Sequence, residues 1–268
     1  MQHLFDSWTV VKRGLRGGRP VALFLDFDGT LAEIQQHPAQ ARLPDATRVV
    51  LRRLVRRGVK VCVVSGRDRS TLCRLIATPE VRCLGLYGWD DGGRVPLDAQ
   101  GRAALRVARK LVAMRIRALT GVWLQNKGHS FTLHYRSAPA DIARRAQAVL
   151  RSVCAPRRGL LRVIRAKRAS EVLPASVPGK GEAVHRELTH LHDALAIYAG
   201  DDVTDEEAFR AMPLGITIHV GKRQRSHARF RLRNPTEVAL FLEKLDRELA
   251  AVKRGTPRSR SDAPARAS

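Results

Sequence analysis

Cysteine is scarce. Cys62, Cys73, Cys83 and Cys154 are the four in 268 residues, and none forms a CxxC pair. That spacing argues against a disulfide scaffold and a structural zinc site, and suggests a reducing compartment. Aromatic residues make up 5% of the chain, which weakens any reading as a single-strand binder that stacks bases on ring faces. No apolar run approaches the roughly 18 residues of a membrane span. The stretch 1–20 carries Asp6, Lys12, Arg13 and Arg16 and no apolar h-region, so no signal peptide is expected. A cytoplasmic chain with no internal repeat is the resulting expectation.

Negative charge is also short. Lys and Arg total 49 against 25 Asp and Glu, for a net +24. Such a balance can mean a polyanion partner, nucleic acid or lipid. It can equally mean that Arg is the usual solvent-facing residue. Arg48, Arg52, Arg53, Arg56 and Arg57 interleave with Val50, Leu51, Leu54 and Val55, the pattern of an amphipathic helix with a basic outer face. With 44% hydrophobic and 28% charged residues, the chain has enough apolar material for a core.

The order of elements sets the fold class. Val21–Leu25 is an apolar run bounded by Gly17-Gly18-Arg19-Pro20 and Asp26, which fits a strand buried on both faces. A helix opens at Pro44-Asp45 and ends at Gly58, a glycine suited to a C-cap. Val59–Val64 reads as a second strand, and Val81–Tyr87 as a third. Strand–helix–strand grammar means a parallel α/β sheet. After Gly92-Gly93 the grammar changes. Ala103–Leu119 and Ala140–Val153 read as helices, Val122–Tyr135 as a hairpin around Lys127-Gly128, and Arg162–Leu173 as strand. Residues 96–174 are therefore read as an inserted α+β cap domain. The core is 1–95 with 175–252. There the parallel grammar resumes with helix Gly181–His190, strand Leu195–Ala199, helix Thr204–Met212, strand Gly215–Val220 and helix Pro235–Ala251. Thr204 and Glu207 have capping-box spacing. A basic tail, 253–268, is expected to be disordered.

Chemistry gathers where the core strands end, the place where open α/β sheets bind ligands. Asp26-Phe27-Asp28-Gly29-Thr30 follows the first strand, with two carboxylates two residues apart and a glycine for a tight turn whose N–H groups can face an anion. Ser65-Gly66 follows the second strand and offers a hydroxyl. Gly179-Lys180-Gly181 opens a helix, where an ammonium adds to the positive dipole end and suits phosphate. Gly200-Asp201-Asp202-Val203-Thr204-Asp205 crowds carboxylates at a fourth strand end, an arrangement that a divalent cation relieves, with oxygen ligands suited to Mg²⁺.

These four ends come in the order of the haloacid dehalogenase-like phosphatases, and the chain resembles that superfamily at each signature. The resemblance from about Arg19 to Leu245 is closest to the trehalose-6-phosphate phosphatase family. It is carried by Leu25–Leu31, Val64–Arg67, Gly121-Val122-Trp123 with Asn126-Lys127-Gly128, Leu133–Arg136, Lys167 with Glu171, and Gly200–Glu206. The resemblance implies a Rossmann-like hydrolase core and hydrolysis of trehalose 6-phosphate through an aspartyl-phosphate. Asp26 would be the nucleophile, Asp28 the general acid and base, and Lys180 the charge neutraliser. Gly29, Thr30, Ser65, Gly66 and Lys180 would bind phosphate. Mg²⁺ would be held by Asp26, Asp201 and the Asp28 carbonyl, with Asp202 and Asp205 as ligands through water or as groups orienting Lys180. Arg67, Gln125, Lys127, Arg136, Lys167 and Glu171 would face the sugar. The implied partner is a small sugar phosphate, acted on by a monomer, with no membrane.

Three positions depart from the family pattern. Tyr87 stands where the family has His, Gln125 where it has Glu, and Leu173 where it often has Arg. All three concern the sugar side, so a phosphatase for another sugar phosphate, of mannosyl or sucrose type, is the alternative. A basic polyanion-binding protein on this fold is a third reading, disfavoured by the intact acidic and lysine motifs.

Overall fold

The computed structural model describes residues 1–93, 98–166, 168–191, 193–222 and 225–255. Its strands are β1 (Gln2–His3), β2 (Val21–Leu25), β3 (Lys60–Val64), β4 (Arg82–Leu84), β5 (Trp123–Asn126), β6 (Phe131–His134), β7 (Leu161–Ala166), β8 (Ala169–Pro174), β9 (Leu195–Gly200), β10 (Ile216–Val220) and β11 (Phe230–Leu232). Its helices are α1 (Trp8–Arg16), α2 (Asp45–Arg56), α3 (Arg69–Ile76), α4 (Ala99–Arg115), α5 (Ala140–Cys154), α6 (Lys180–Thr189), α7 (Asp205–Ala211) and α8 (Pro235–Gly255).

Seven strands form one parallel sheet in the order β1-β11-β10-β9-β2-β3-β4. Both faces of β2 are buried, as its unbroken apolar run requires. Leu23 and Leu25 pack on the side of α1, α2 and α8, with Leu51, Leu54, Phe241 and Leu245. Ala22 and Phe24 pack on the other side, with Val184, Tyr198 and Phe209. The order reverses between β2 and β9, since the chain runs outward through β3 and β4 on one side and through β10 and β11 on the other.

The second sheet is antiparallel, order β5-β6-β8-β7, and lies between β4 and α6 in the chain. Its period-2 pattern splits the residues by face. Phe131, Leu133, Val172 and Leu161 pack under α4 and α5 with Leu105, Val112 and Leu150. The opposite face carries Gln125, Thr132 and Glu171 in register across three strands and looks toward the core. The fold is an α/β hydrolase core with an α+β cap.

Several local expectations are corrected. The third core strand stops at Leu84 because Leu86 and Tyr87 take left-handed backbone angles that no strand can hold. The segment Arg162–Leu173 falls in two antiparallel strands, β7 and β8, and Arg168 just before β8 has φ 59°. Thr204 makes no side-chain cap on α7, so the capping box is not formed. Glu207 instead lies against Gly179 and 4.0 Å from Arg162. The last helix runs to Gly255, into the stretch expected as tail, and residues 256–268 lie outside the described residues. The strand β1, the helix α1 and the strand β11 were not anticipated, although the buried Trp8, Val11 and Leu15 of α1 lie at helical spacing.

Much of the basic charge is engaged locally. Arg53 (3.0 Å) and Arg57 both pair with the buried Asp246 of α8, and Arg52 donates to the Ala77 carbonyl at 3.0 Å. The α2 arginines are thus ties between elements as well as a wet face. On the cap, Arg102, Arg106, Lys110, Arg144 and Arg145 are exposed, and Asp141 is the sole acidic residue between 99 and 158. Among the described residues no helix is long and apolar enough to cross a membrane.

Leu51 is fully buried between α2 and the sheet. Leu51→Ala is expected to lower the unfolding free energy by about 2–5 kcal/mol through the cavity it leaves. Urea denaturation measures this, and a loss below about 1 kcal/mol would contradict the packing described.

Candidate active site

The carboxyl ends of β2 and β9 lie side by side at the point where the sheet order reverses, and the Asp26 amide donates to the Ala199 carbonyl at 2.9 Å. Asp26 leaves β2, Asp201 leaves β9, and Lys180 is the first residue of α6. The Lys180 Nζ donates to Asp26 Oδ1 at 2.6 Å and to Asp205 Oδ1 at 2.7 Å. Asp205 is fully buried. Its Oδ1 also accepts from the Tyr198 hydroxyl at 2.7 Å, and its Oδ2 from the Asp202 amide at 2.9 Å. Asp205 therefore fixes both the lysine and the loop that carries Asp201.

Two glycines make this crowding possible. Gly29 has φ +88°, and a Cβ there would lie 2.3 Å from Asp201 Oδ2. A Cβ on Gly200 would lie 2.2 Å from Asp205 Cγ. Neither position tolerates a side chain without displacing an acid.

Burial pushes the Asp26 carboxyl well above the usual range. Lys180 opposes that shift, while Asp205 and Asp201 add to it. Burial alone would push the Lys180 ammonium down, but Asp205 and Asp26 outweigh it and hold its pKa above the ordinary lysine range. The lysine stays charged, and the carboxylates around it outnumber it. Asp26, Asp201 and Asp205 each bring an oxygen within 4.8 Å of the others. With all three carboxylates ionised, the state that a bound cation favours, one ammonium leaves two negative charges, a fit for one divalent cation with hard oxygen ligands. Both Asp205 oxygens are already engaged, which makes Asp205 a poor direct ligand.

A cavity of about 550 Å³ opens above this cluster and is lined by both the core and the cap. Asp28, Ser65, Gly66, Arg67 and Asp202 line it from the core, and Gln125, Lys127, Arg136 and Glu171 from the cap. Asp28 does not point at the acidic cluster. Its carboxylate accepts two hydrogen bonds from Arg67, both 2.7 Å, and Arg67 also donates to the Pro38 carbonyl at 2.8 Å. Arg67, expected on the sugar side, is thus a clamp on Asp28. Asp202 accepts from the Val203 amide at 2.7 Å. The Ser65 Oγ accepts from the Arg67 amide at 3.2 Å. Thr30 is fully buried and its Oγ1 has no protein partner among the described residues.

On the cap, Lys127 donates to Glu171 and to the Gly66 carbonyl, each at 2.9 Å. Arg136 donates to the Gln35 carbonyl at 3.3 Å. Gln125 accepts from His134 Nε2 at 2.9 Å. Lys167 lies outside the described residues. Thr132 and His134 also line the cavity and were not anticipated. The alternation Ser130-Thr132-His134, which runs into β6 from the residue before it, was the signal that could have found them. Thr132 is buried, and its Oγ1 has no partner among the described residues.

The sequence model described as trehalose-phosphatase matches residues 24–235. The trehalose-phosphate phosphatase of Mycobacterium marinum is 32% identical over 271 residues, covering 94% of this chain and 68% of the relative. The chain belongs to the trehalose-phosphatase family. It is a phosphatase. The solved C-terminal domain of the Candida albicans trehalose-6-phosphate phosphatase superposes with a TM-score of 0.76 at 22% identity, covering 89% of this chain and 96% of that one. A haloacid dehalogenase-like hydrolase from Bacteroides thetaiotaomicron gives 0.61 at 15% identity, over 85% and 100% of the two chains. These likenesses show the fold, and the phosphatase family implies a divalent metal, for which the Asp26, Asp201 and Asp205 cluster is the candidate site.

His134 sits in this family member's cavity, with its ring stacked on Trp123 at a centroid distance of 3.9 Å. Burial first, then the Lys127 and Arg136 charges, push its pKa from 6.5 to about 4, against an opposing pull from Glu171. Protonation therefore favours the unfolded chain, and stability is lost as pH falls from about 6.5 toward 4. His134→Gln is expected to flatten that acid limb in denaturation midpoints measured across the window. Equal slopes in both proteins would contradict a neutral, half-buried His134.

Proposed function

We propose that the chain hydrolyses trehalose 6-phosphate to trehalose and phosphate, with Mg²⁺ bound and through an aspartyl-phosphate on Asp26. The observation that carries this reading is Lys180 bridging Asp26 and Asp205 at the floor of a cavity whose roof is the polar face of the cap sheet. A monomeric, cytoplasmic enzyme acting on a free sugar phosphate is the working picture. The cap is taken as residues 96–174 and the core as 1–95 with 175–252.

Asp26 and Asp201 would hold the cation, with the Asp28 carbonyl. When bound, Mg²⁺ supplies positive charge to the phosphoryl oxygens. Asp26 attacks phosphorus through the oxygen not held by Lys180, the P–O bond to the sugar breaks, and the electron pair leaves on the sugar oxygen. Lys180 neutralises charge on the transferred group and keeps Asp26 aimed. The turn at Gly29 and Thr30 and the Ser65–Gly66 loop supply N–H and O–H donors to the remaining oxygens. Asp28 gives its proton to the leaving sugar oxygen, then takes one from the water that hydrolyses the intermediate. An arriving phosphate dianion competes with Asp28 for Arg67 and frees the carboxyl to carry a proton. Asp205 acts by holding Lys180, and Asp202 by shaping the loop.

On the sugar side, a disaccharide offers hydroxyls to Thr132, Gln125, Arg136 and Lys167. Sites built from such groups reject substrates that leave them unpaired. The neutral Gln125 and the hydroxyl of Thr132 favour keeping a second reading in view, a phosphatase of the same mechanism for another sugar phosphate.

Phosphate release from trehalose 6-phosphate with Mg²⁺ is expected. EDTA should abolish it, and Asp26→Asn should lower kcat by on the order of 10⁴-fold or more. A panel of sugar phosphates checks the substrate. Preference for a mannosyl or sucrose phosphate would replace the trehalose assignment, and turnover retained by Asp26→Asn would overturn the mechanism.

A further inference from the structure

The 3-10 turn Leu86–Gly88 follows β4 and holds two bulky residues in the left-handed region, Leu86 at φ 48° and Tyr87 at φ 64°. Such angles are outliers for large side chains and persist only where the surroundings fix them. Here they do, from three directions. The Leu86 amide donates to the Arg67 carbonyl at 2.8 Å and the Tyr87 amide to the Ser65 carbonyl at 2.9 Å, so the turn is stitched to the loop after β3. Arg186 of α6 donates to the Gly88 carbonyl at 2.6 Å, and a Cβ on Gly88 would lie 2.0 Å from the Ala183 Cβ, so the turn is pressed onto the helix that begins with Lys180. The Tyr87 ring packs with Leu173 and Val177, and its hydroxyl donates to Glu171 Oε2 at 2.8 Å.

Glu171 is fully committed to this framework. Its Oε1 accepts from Ser130 at 2.6 Å, and its Oε2 from both Tyr87 and Lys127. The same Lys127 ammonium reaches the Gly66 carbonyl beside Ser65. Core loop, core turn and cap sheet are thereby joined through one buried carboxylate. We propose that Tyr87 is a positioning residue: its hydroxyl seats the cap by fixing Glu171 and, through it, Lys127, so that cap seating and the shape of the Ser65–Arg67 loop are set together. Glu171 holds the cap in place while lining the same cavity.

The proposal rests on the phosphatase reading only for its kinetic test. Tyr87→Phe keeps the ring and removes the hydroxyl. In the free protein, amide exchange in 64–68 and 125–132 should rise about fivefold or more, while α2 and α8 exchange as before. With trehalose 6-phosphate, KM should rise up to about tenfold with kcat within about twofold, the size expected for one lost hydrogen bond in cap seating. Glu171→Gln provides a second variant, and the double variant should lose less than the sum of the two. Unchanged exchange, exchange raised throughout the chain, a fall in kcat at constant KM, or strict additivity would each overturn the proposal. Raised local exchange in a protein whose wild type turns over no sugar phosphate would instead reject the substrate assignment and leave the seating role standing.

Discussion

The Lys180 ammonium, buried and held between the carboxylates of Asp26 and Asp205, is the interaction on which the rest of the site depends. Bringing three charged groups out of water is unfavourable unless each finds opposite charge and hydrogen bonds. Here each does, and the fold is arranged to supply them. The parallel sheet places β2 and β9 side by side where strand order reverses, so two acidic strand ends meet. The helix α6 starts at the lysine and delivers it from the opposite side. Tyr198, from the buried strand β9, completes the hydrogen bonding of Asp205. Glycines at 29 and 200 remove the Cβ atoms that would keep the acids apart.

The cap solves a different problem. A phosphoryl site open to water could act on many esters, so selectivity has to come from a second surface. The four-stranded sheet supplies it by simple alternation. One face is apolar and sits under α4 and α5, and the other carries Gln125, Thr132 and Glu171 in register above the acidic cluster. The two units meet through a few polar contacts, Lys127 to Gly66 and Tyr87 to Glu171 among them, and a small apolar cluster around Tyr87.

How far the sequence revealed this varies with the locality of the signal. The β2 run, the glycine that ends α2 and the acids at the ends of β2 and β9 are short-range patterns, and all lie where they were read. The division into parallel core and inserted antiparallel cap was legible because hydrophobic periodicity changes along the chain. What stayed hidden depends on long-range contact. The turn at Leu86–Gly88 looked like more strand because its residues are apolar, and only packing against the Ser65 loop and α6 forces the left-handed angles. The clamp of Arg67 on Asp28 joins residues far apart in sequence. Thr204 and Glu207 had the right spacing for a cap, yet Glu207 is drawn to Gly179, a tertiary competitor that spacing cannot show.

As the proposed nucleophile, aimed by Lys180, Asp26 is expected to become covalently phosphorylated during turnover. Acid quenching of the enzyme during turnover of trehalose 6-phosphate with Mg²⁺, followed by mass spectrometry of the peptide spanning β2, tests it most directly. The account predicts a phosphoryl adduct on Asp26 that forms and decays at rates able to support steady-state turnover. Turnover with no adduct on Asp26 at any quench time, or with the adduct on another side chain, would contradict it.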